Sequence, residues 1–298
     1  MNLKTKKLIE GHGAFFLATI FVAGSAIACK LVTDSMHPLP LTLLRFIIAF
    51  VTLAPFVLMK HSFRIQVRRA LPRSLVISFF YSFFFVLMFD ALRYTSTLNV
   101  SSIGTLSPLI TALFSIVLFN IRIGLKKLLV YLIAVLGTLL VVFDGNFNAI
   151  IHISLNHGDM VFFIATMLIS CYYIALKKLH GGIDPLVLTF CTLFGGMIWI
   201  SCSMLVMQVP FDFHGLTTTS DIMSLFYLAI ITTTGTAYLM QKGSTLISPT
   251  SGSAYQYMAP VFVSVLSIIF LGVFPSLMGW IGAIIAVVST IILLCMDK

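Results

Sequence analysis

Residues 96–119 read STLNVSSIGTLSPLITALFSIVLF, and residues 248–271 read SPTSGSAYQYMAPVFVSVLSIIFL. Each run is apolar and long enough to cross a bilayer as a helix, which takes about 20 residues. Each carries a proline near its middle, Pro108 in the first and Pro260 in the second. At an offset of 152, Ser96 falls on Ser248, Ser101 on Ser253, Pro108 on Pro260, Ser115 on Ser267 and Ile116 on Ile268. One proline kink is ordinary in a packed membrane helix. Two at matching places of a repeat point to discontinuous helices, whose freed backbone groups can face a cavity instead of lipid. Pro108 and Pro260 are therefore candidate hinges.

The repeat extends outward with a changed offset. At 145 residues, Gly13 falls on Gly158, Ser25 on Ser170, Leu31 on Leu176, Pro40 on Pro185, Leu41 on Leu186 and Leu43 on Leu188. The change implies seven extra residues between the second and fourth segments of the second half. Ten apolar runs of spanning length can be drawn, at 13–33, 39–59, 71–91, 97–119, 125–143, 158–177, 184–207, 221–240, 250–271 and 277–295. Hydrophobic residues make up 59% of the 298 and charged residues only 9%, against about 25% charged in soluble domains. The fold class is an all-α integral membrane protein of ten transmembrane helices, with nothing left for a soluble domain. Residues 1–146 and 147–298 form two five-helix repeats. Five is odd, so the second repeat enters the membrane inverted, and a two-fold axis in the membrane plane relates the halves.

Charge sets the orientation, because lysine and arginine gather in cytoplasmic loops. All but three of the 18 basic residues fall on one side of this alternation; the exceptions are Lys30, Arg45 and Arg93. Asp34, Asp144, Asp212 and Asp221 lie on the other side. Both termini are thus expected in the cytoplasm, and the net charge of +9 is a topology signal with no nucleic-acid partner behind it. The first run is too long for a signal peptide and lacks a convincing cleavage site, so it counts as a span. The five cysteines sit in or beside apolar runs without metal spacing, which predicts neither a disulfide framework nor a metal site. No cofactor is implied.

Several stretches together resemble the drug/metabolite transporter superfamily, in its EamA-type ten-helix form. They are Ala91-Leu92-Arg93-Tyr94-Thr95 running into Ser101, then Leu106-Ser107-Pro108-Leu109 and the Gly137 segment, with a counterpart from Gln241 through Ala259-Pro260-Val261. Gly158-Asp159 opening the sixth run, and Arg45 soon after Pro40, fit the same pattern. The resemblance implies a multi-pass transporter of a bacterial-type inner membrane. It also implies a glutamate just after the fourth helix of each repeat, where this chain has Ile121 and Val273; its one glutamate is Glu10.

Ionisable groups inside a bilayer cost about 2.5–3.5 kcal/mol at the centre and usually face a cavity or a partner. Arg45, Lys30 and Asp90 fall in the outer half of the membrane and are expected to cluster there, although Lys30 could snorkel to the interface and Asp90 could cap its helix. Arg45 lies deeper, so it is expected either in an ion pair with Asp90 or on a substrate carboxylate. Gln256, close to Pro260, needs polar partners in lipid. Ser102 and the aromatics Tyr81, Tyr172 and Tyr255, placed away from helix ends, complete the expected substrate-binding set. All seven histidines fall in loops or at boundaries, which leaves proton coupling no more favoured than facilitated diffusion or exchange.

No carboxylate pair, metal spacing or activated serine lies at membrane depth, so an enzyme is not expected. The pattern favours a carrier working by alternating access. Its expected cargo is a small metabolite, with amino acids and related zwitterions first. A nucleoside-like metabolite such as S-adenosylmethionine, a class implied by the resemblance, comes second, and drug or lipid handling third. The expected partners are that small molecule and the lipid bilayer; a monomer suffices, and the sequence leaves oligomeric state open.

Overall fold

The computed structural model describes residues 3–32, 36–120, 123–146, 148, 156–212 and 218–297, and their side chains except at 3, 4, 26–32, 97, 98 and 271. Among the described residues there is no strand, and ten helices are long and apolar enough to cross a membrane. In chain order the elements are α1 (Leu3–Val32), α2 (Pro38–Leu58), α3 (His61–Ala91), α4 (Thr97–Gly104), α5 (Ser107–Phe119), α6 (Leu125–Val142), α7 (His157–Leu179), α8 (Pro185–Val206) and α9 (Thr219–Phe226). A π-helical segment (Tyr227–Gly235), α10 (Thr236–Leu246), α11 (Pro249–Ala254), a 3₁₀ turn (Tyr255–Met258), α12 (Ala259–Leu271) and α13 (Leu277–Met296) follow. The eighth span runs through α9, the π segment and α10.

Two helices start about ten residues earlier than their apolar runs, α1 at Leu3 and α3 at His61. Lysine, arginine, glutamate and glutamine are good helix formers, so the backbone stays helical beyond the apolar run. Apolarity locates a span without locating the helix end. Several other starts are marked by caps. Asn156 and Asp159 form a reciprocal capping box at α7, and Asp184 accepts the Leu186 N–H at α8, where Pro185 takes the first position.

The fourth and ninth spans are both broken. A turn at Thr105–Leu106 separates α4 from α5, and the 3₁₀ turn separates α11 from α12. Pro108 and Pro260 each occupy the first turn of the second piece, where a missing N–H costs nothing. The prolines therefore open a new helix; they do not bend a continuous one. Local geometry recurs 152 residues on: Ser96 accepts the Asn99 N–H at 3.1 Å and Ser248 the Ser251 N–H at 3.0 Å. The second pieces end in left-handed residues, Asn120 (φ 51°) and Gly272 (φ 65°).

Two layers of contact position the interior. α3 lies against α7 and α8, α1 against α10, and α2 against α8 and the π segment. Their facing sides bury Phe15, Leu39, Phe46, Ile77, Tyr81, Tyr172, Tyr173, Val187 and Leu193. α6 and α13 pack on each other at backbone distance. A Cβ on Gly282 would come 2.7 Å from the Gly137 carbonyl oxygen and 2.9 Å from the Val141 nitrogen, and one on Gly137 would come 2.9 Å from the Ala286 nitrogen. Small residues allow that approach where lipid offers no hydrophobic drive between helices.

Polar ties close both ends. At the basic end Lys242 pairs with Glu10 at 2.7 Å, Lys177 donates to the Ile247 carbonyl at 3.0 Å, and Asp297 pairs with Lys127 while accepting from Thr250 and Ser251 at 2.9 and 2.7 Å. At the other end Asp159 accepts from Thr95 at 2.5 Å, Asn99 at 3.0 Å and the Asn156 N–H at 2.8 Å.

Candidate functional site

Thr232, Thr233, Thr234, Gly235 and Thr236 interrupt an otherwise apolar span. Serine and threonine hydroxyls in helices bond back to carbonyls of the preceding turn and loosen it. Here the chain widens into the π segment. The Thr232 and Thr233 hydroxyls donate to the Leu228 carbonyl at 2.7 and 2.8 Å, and the Thr234 hydroxyl donates to Ala229 at 3.0 Å. π-helical turns are rare and concentrate at functional sites.

Arg45 of α2 reaches this segment. It is 1% exposed, and its Nη2 donates to the Thr233 hydroxyl at 2.9 Å and the Thr232 hydroxyl at 3.4 Å. Its guanidinium carbon lies 4.8 Å from the Phe85 ring centre and 5.6 Å from that of Phe89, contacts that stabilise a desolvated cation. The expected Arg45–Asp90 ion pair is not formed. Asp90 is the penultimate residue of α3 and pairs at 3.9 Å with Arg93, with side chains 39% and 47% exposed. A carboxylate at the end of its helix finds the next turn's cation before it can fold back to a buried one. At that mouth, burial and then the Arg93 charge lower the pKa of His37, with Asp90 opposing. Lys30, the third member of the expected cluster, has a side chain outside the described residues.

Below Arg45 runs a file of aromatic rings. Tyr81 stacks on Phe46 (5.8 Å between centres, 17°) and on Tyr172 (4.8 Å, 26°). Tyr172 adjoins Tyr173 at 6.0 Å, Tyr173 adjoins Phe15 at 6.1 Å, and Phe15 stacks on Tyr255 at 6.2 Å and 8°. Gln256 donates to the Tyr173 hydroxyl at 2.7 Å, and the Tyr255 hydroxyl meets His12 Nδ1 at 3.1 Å. The Tyr81 hydroxyl faces Thr236 and that of Tyr172 faces Gln241, yet neither closes a hydrogen bond of good geometry. A buried polar atom left so costs about 1–3 kcal/mol, and such atoms in a folded protein call for an explanation.

The structure thus brings Tyr81, Tyr172, Tyr255 and Gln256 into one file with Arg45 at its head. Ser102 stands apart: it is buried on α4, which packs on α6 and α7, and its carbonyl accepts the Thr105 hydroxyl at 2.7 Å. His12, expected at a boundary, lies inside α1 because that helix starts at Leu3. Outside the expected substrate-binding set, the site also takes in Tyr173, the π-segment threonines and Gln241. Buried Gln241 accepts from Thr189 and donates to Thr192, both at 3.1 Å. In the sequence, the threonines form a hydroxyl-rich window inside the eighth apolar run and Gln241 stands just past its end.

The description "EamA-like transporter family" fits the chain twice, at residues 9–143 and 156–295. The chain belongs to that family. As an EamA-family protein of the drug/metabolite transporter superfamily, it is a multi-pass membrane protein, with ten spans among the described residues. It is 27% identical over 197 residues to the uncharacterized inner membrane transporter YicL of Salmonella typhimurium, covering 65% of this chain and 62% of that protein. It is 29% identical over 115 residues to the uncharacterized transporter YyaM of Bacillus subtilis, covering 39% of this chain and 38% of that protein. Both matches span less than two thirds of the relative. A solved structure 18% identical shares the fold, with a TM-score of 0.77 over 98% of both chains. Of the two places where the resemblance implies an acid, Val273 is exposed and apolar and Ile121 lies outside the described residues. Glu10 is held by Lys242 at the basic end.

Proposed function

We propose that this EamA-family chain is an inner-membrane carrier of small zwitterionic metabolites, amino acids and their relatives first, working by alternating access. The observation that carries the reading is the file headed by Arg45. A buried guanidinium beside a π segment can receive a carboxylate in a bidentate fork. The two tyrosine hydroxyls without good partners below it, Tyr81 and Tyr172, suit a polar ligand, and the ring faces suit an apolar side chain. The stacked plates of Tyr81, Tyr172 and Phe46 favour a second reading, in which the cargo carries a flat base, as a nucleoside-like metabolite does.

The carrier is built from inverted repeats, 1–146 and 147–298, that rock about this file, with Pro108 and Pro260 at their hinges and both termini cytoplasmic. Packing supports the repeat reading, because it keeps its pattern when each span is exchanged for the one five later. α3 against α7 becomes the eighth span against α1, while α2–α8 and α6–α13 map onto themselves. A Cβ on Gly158 would lie 2.9 to 3.0 Å from Ala91, Tyr94 and Thr95; one on Gly11 would meet Gly243, Leu246 and Ile247, each 152 residues further on, with Leu246 and Ile247 at 2.9 and 2.8 Å. Gly11, not Gly13, therefore plays the part of Gly158. The inner-membrane placement rests on the relatives' descriptions and on the basic loops.

Ligand-dependent melting of the purified protein tests the cargo class. Amino acids should raise the melting temperature while the matching decarboxylated amines do not, since a ligand that binds only the folded state stabilises it. Stabilisation by nucleosides alone would move the second reading ahead.

A further inference from the structure

The basic end holds a cavity of about 510 Å³ lined by Gln66, Arg69, Arg73, Gly181, Gly182 and Ile183. One wall is the start of α3. Its 31 residues make a helix of about 46 Å at 1.5 Å per residue, longer than the hydrocarbon core of about 30 Å. Its first turns therefore stand at the membrane surface, carrying Arg64, Arg68, Arg69 and Arg73. The other wall is the loop between α7 and α8. Gly181 and Gly182 take φ of 54° and 72° there, values that glycine adopts without strain. A Cβ on Gly181 would lie 2.6 Å from Arg73 Cζ, so the bare backbone lets the guanidinium rest on the loop at the cavity.

Arg69 and Arg73 are exposed, as Arg64 and Arg68 are, but only Arg69 and Arg73 line the cavity. The lysines at this end that face the bundle have partners: Lys242 has Glu10, Lys127 has Asp297 and Lys177 has the Ile247 carbonyl. Arg69 and Arg73 have neither ion pair nor hydrogen bond among the described residues. The neighbouring acid, Asp184, caps α8 through the Leu186 N–H at 2.9 Å, and its own N–H donates to Gln66 Oε1 at 2.9 Å. That bond fixes the Gln66 amide and leaves its NH₂ as a donor. Burial, then Lys177 and then Arg73, lower the pKa of His180. Its Nδ1 accepts the Gly182 N–H at 3.1 Å.

We infer that this cavity binds a phosphate-type anion through Arg69, Arg73 and the Gln66 amide, supplied either by a lipid headgroup of the adjoining leaflet or by a free phosphorylated solute. Two planar guanidinium forks match phosphate oxygens, and the volume admits a headgroup. A bound anion would bridge α3 to the loop between α7 and α8, tying the two halves of the chain together at the basic end.

The test uses the full chain purified into phosphatidylcholine vesicles, with phosphatidylglycerol added in one arm and inorganic phosphate in the other. Melting temperature against ligand gives the half-saturating amount. In the native protein at least one anion should raise the melting temperature. R69Q and R73Q should each weaken that response about tenfold to a hundredfold, while R64Q and R68Q, with the same change of charge on the same helix, should leave it intact. A response to phosphatidylglycerol alone identifies the headgroup as the source, and a response to phosphate identifies a solute. Melting in pure phosphatidylcholine checks folding, and either cavity variant decides the matter if the other folds poorly. No response to either anion, or equal loss in all the arginine variants, would overturn the inference.

Discussion

Replacing Arg45 with glutamine separates a receptor for a substrate carboxylate from a structural cation. Among its contacts in the folded protein, the side chain donates to Thr233 at 2.9 Å and to Thr232 at 3.4 Å, and it lies against two ring faces. A bond from a charged donor contributes about 1.5–3 kcal/mol, and a desolvated cation–ring contact about 2 kcal/mol. Against these stands about 2.5–3.5 kcal/mol for keeping an arginine at membrane depth. These terms are of the same order, so Arg45→Gln should still fold. A carboxylate ligand, however, would lose a charged partner, and about 1.5–3 kcal/mol corresponds to about tenfold to 150-fold in affinity. The assay is saturation of labelled amino-acid uptake into proteoliposomes, with a decarboxylated analogue as control. The expected result is a half-saturating concentration higher by that factor for the amino acid alone. Unchanged uptake, or a variant that no longer folds, would refute the reasoning.

Other consequences can be checked with the same preparation. Pro108→Ala and Pro260→Ala restore an N–H and favour continuous helix at each break; transport per folded molecule should fall several-fold with insertion intact, and full activity in both would remove the hinges. Gly282→Ala should destabilise the protein by about 1–3 kcal/mol through overpacking, since its methyl would meet α6 backbone at 2.7 Å; an unchanged melting temperature in detergent would show that the pair does not depend on that approach. Tyr81→Phe and Tyr172→Phe remove buried hydroxyls without good partners, so both should be as stable as the native protein or more so while binding cargo less tightly. Loss of stability with unchanged affinity would make these hydroxyls structural.

The spans were legible because lipid demands long apolar helices whose backbone groups pair internally. The breaks were legible too, since Pro108 and Pro260 leave few other local geometries open. Side-chain partnerships were harder. Asp90 and Arg45 are both charged groups in apolar runs, but the choice between Arg45 and Arg93 as the partner of Asp90 depends on where α3 ends, and apolarity does not set that point. His12 lies inside α1, and not at its boundary, for the same reason. Tyr173 could not be told from its neighbour Tyr172 by composition, because both lie inside the same apolar stretch; what distinguishes it is Gln256, 83 residues away in sequence. The π segment depends on each threonine hydroxyl finding a carbonyl one turn back, a cooperative choice that no single residue announces. The Arg69–Arg73 cavity went unread because arginines after an even-numbered span are accounted for by topology alone.

Counterflow in proteoliposomes tests the central claim most directly. Vesicles are loaded with an unlabelled pool of amino acids or of nucleosides, and entry of labelled members of the same class is followed. A carrier with one central site exposed to each side in turn should accumulate label transiently against the amino-acid pool, and Arg45→Gln should lose that overshoot. Folded protein that gives no overshoot with either pool would contradict alternating-access transport of these metabolites.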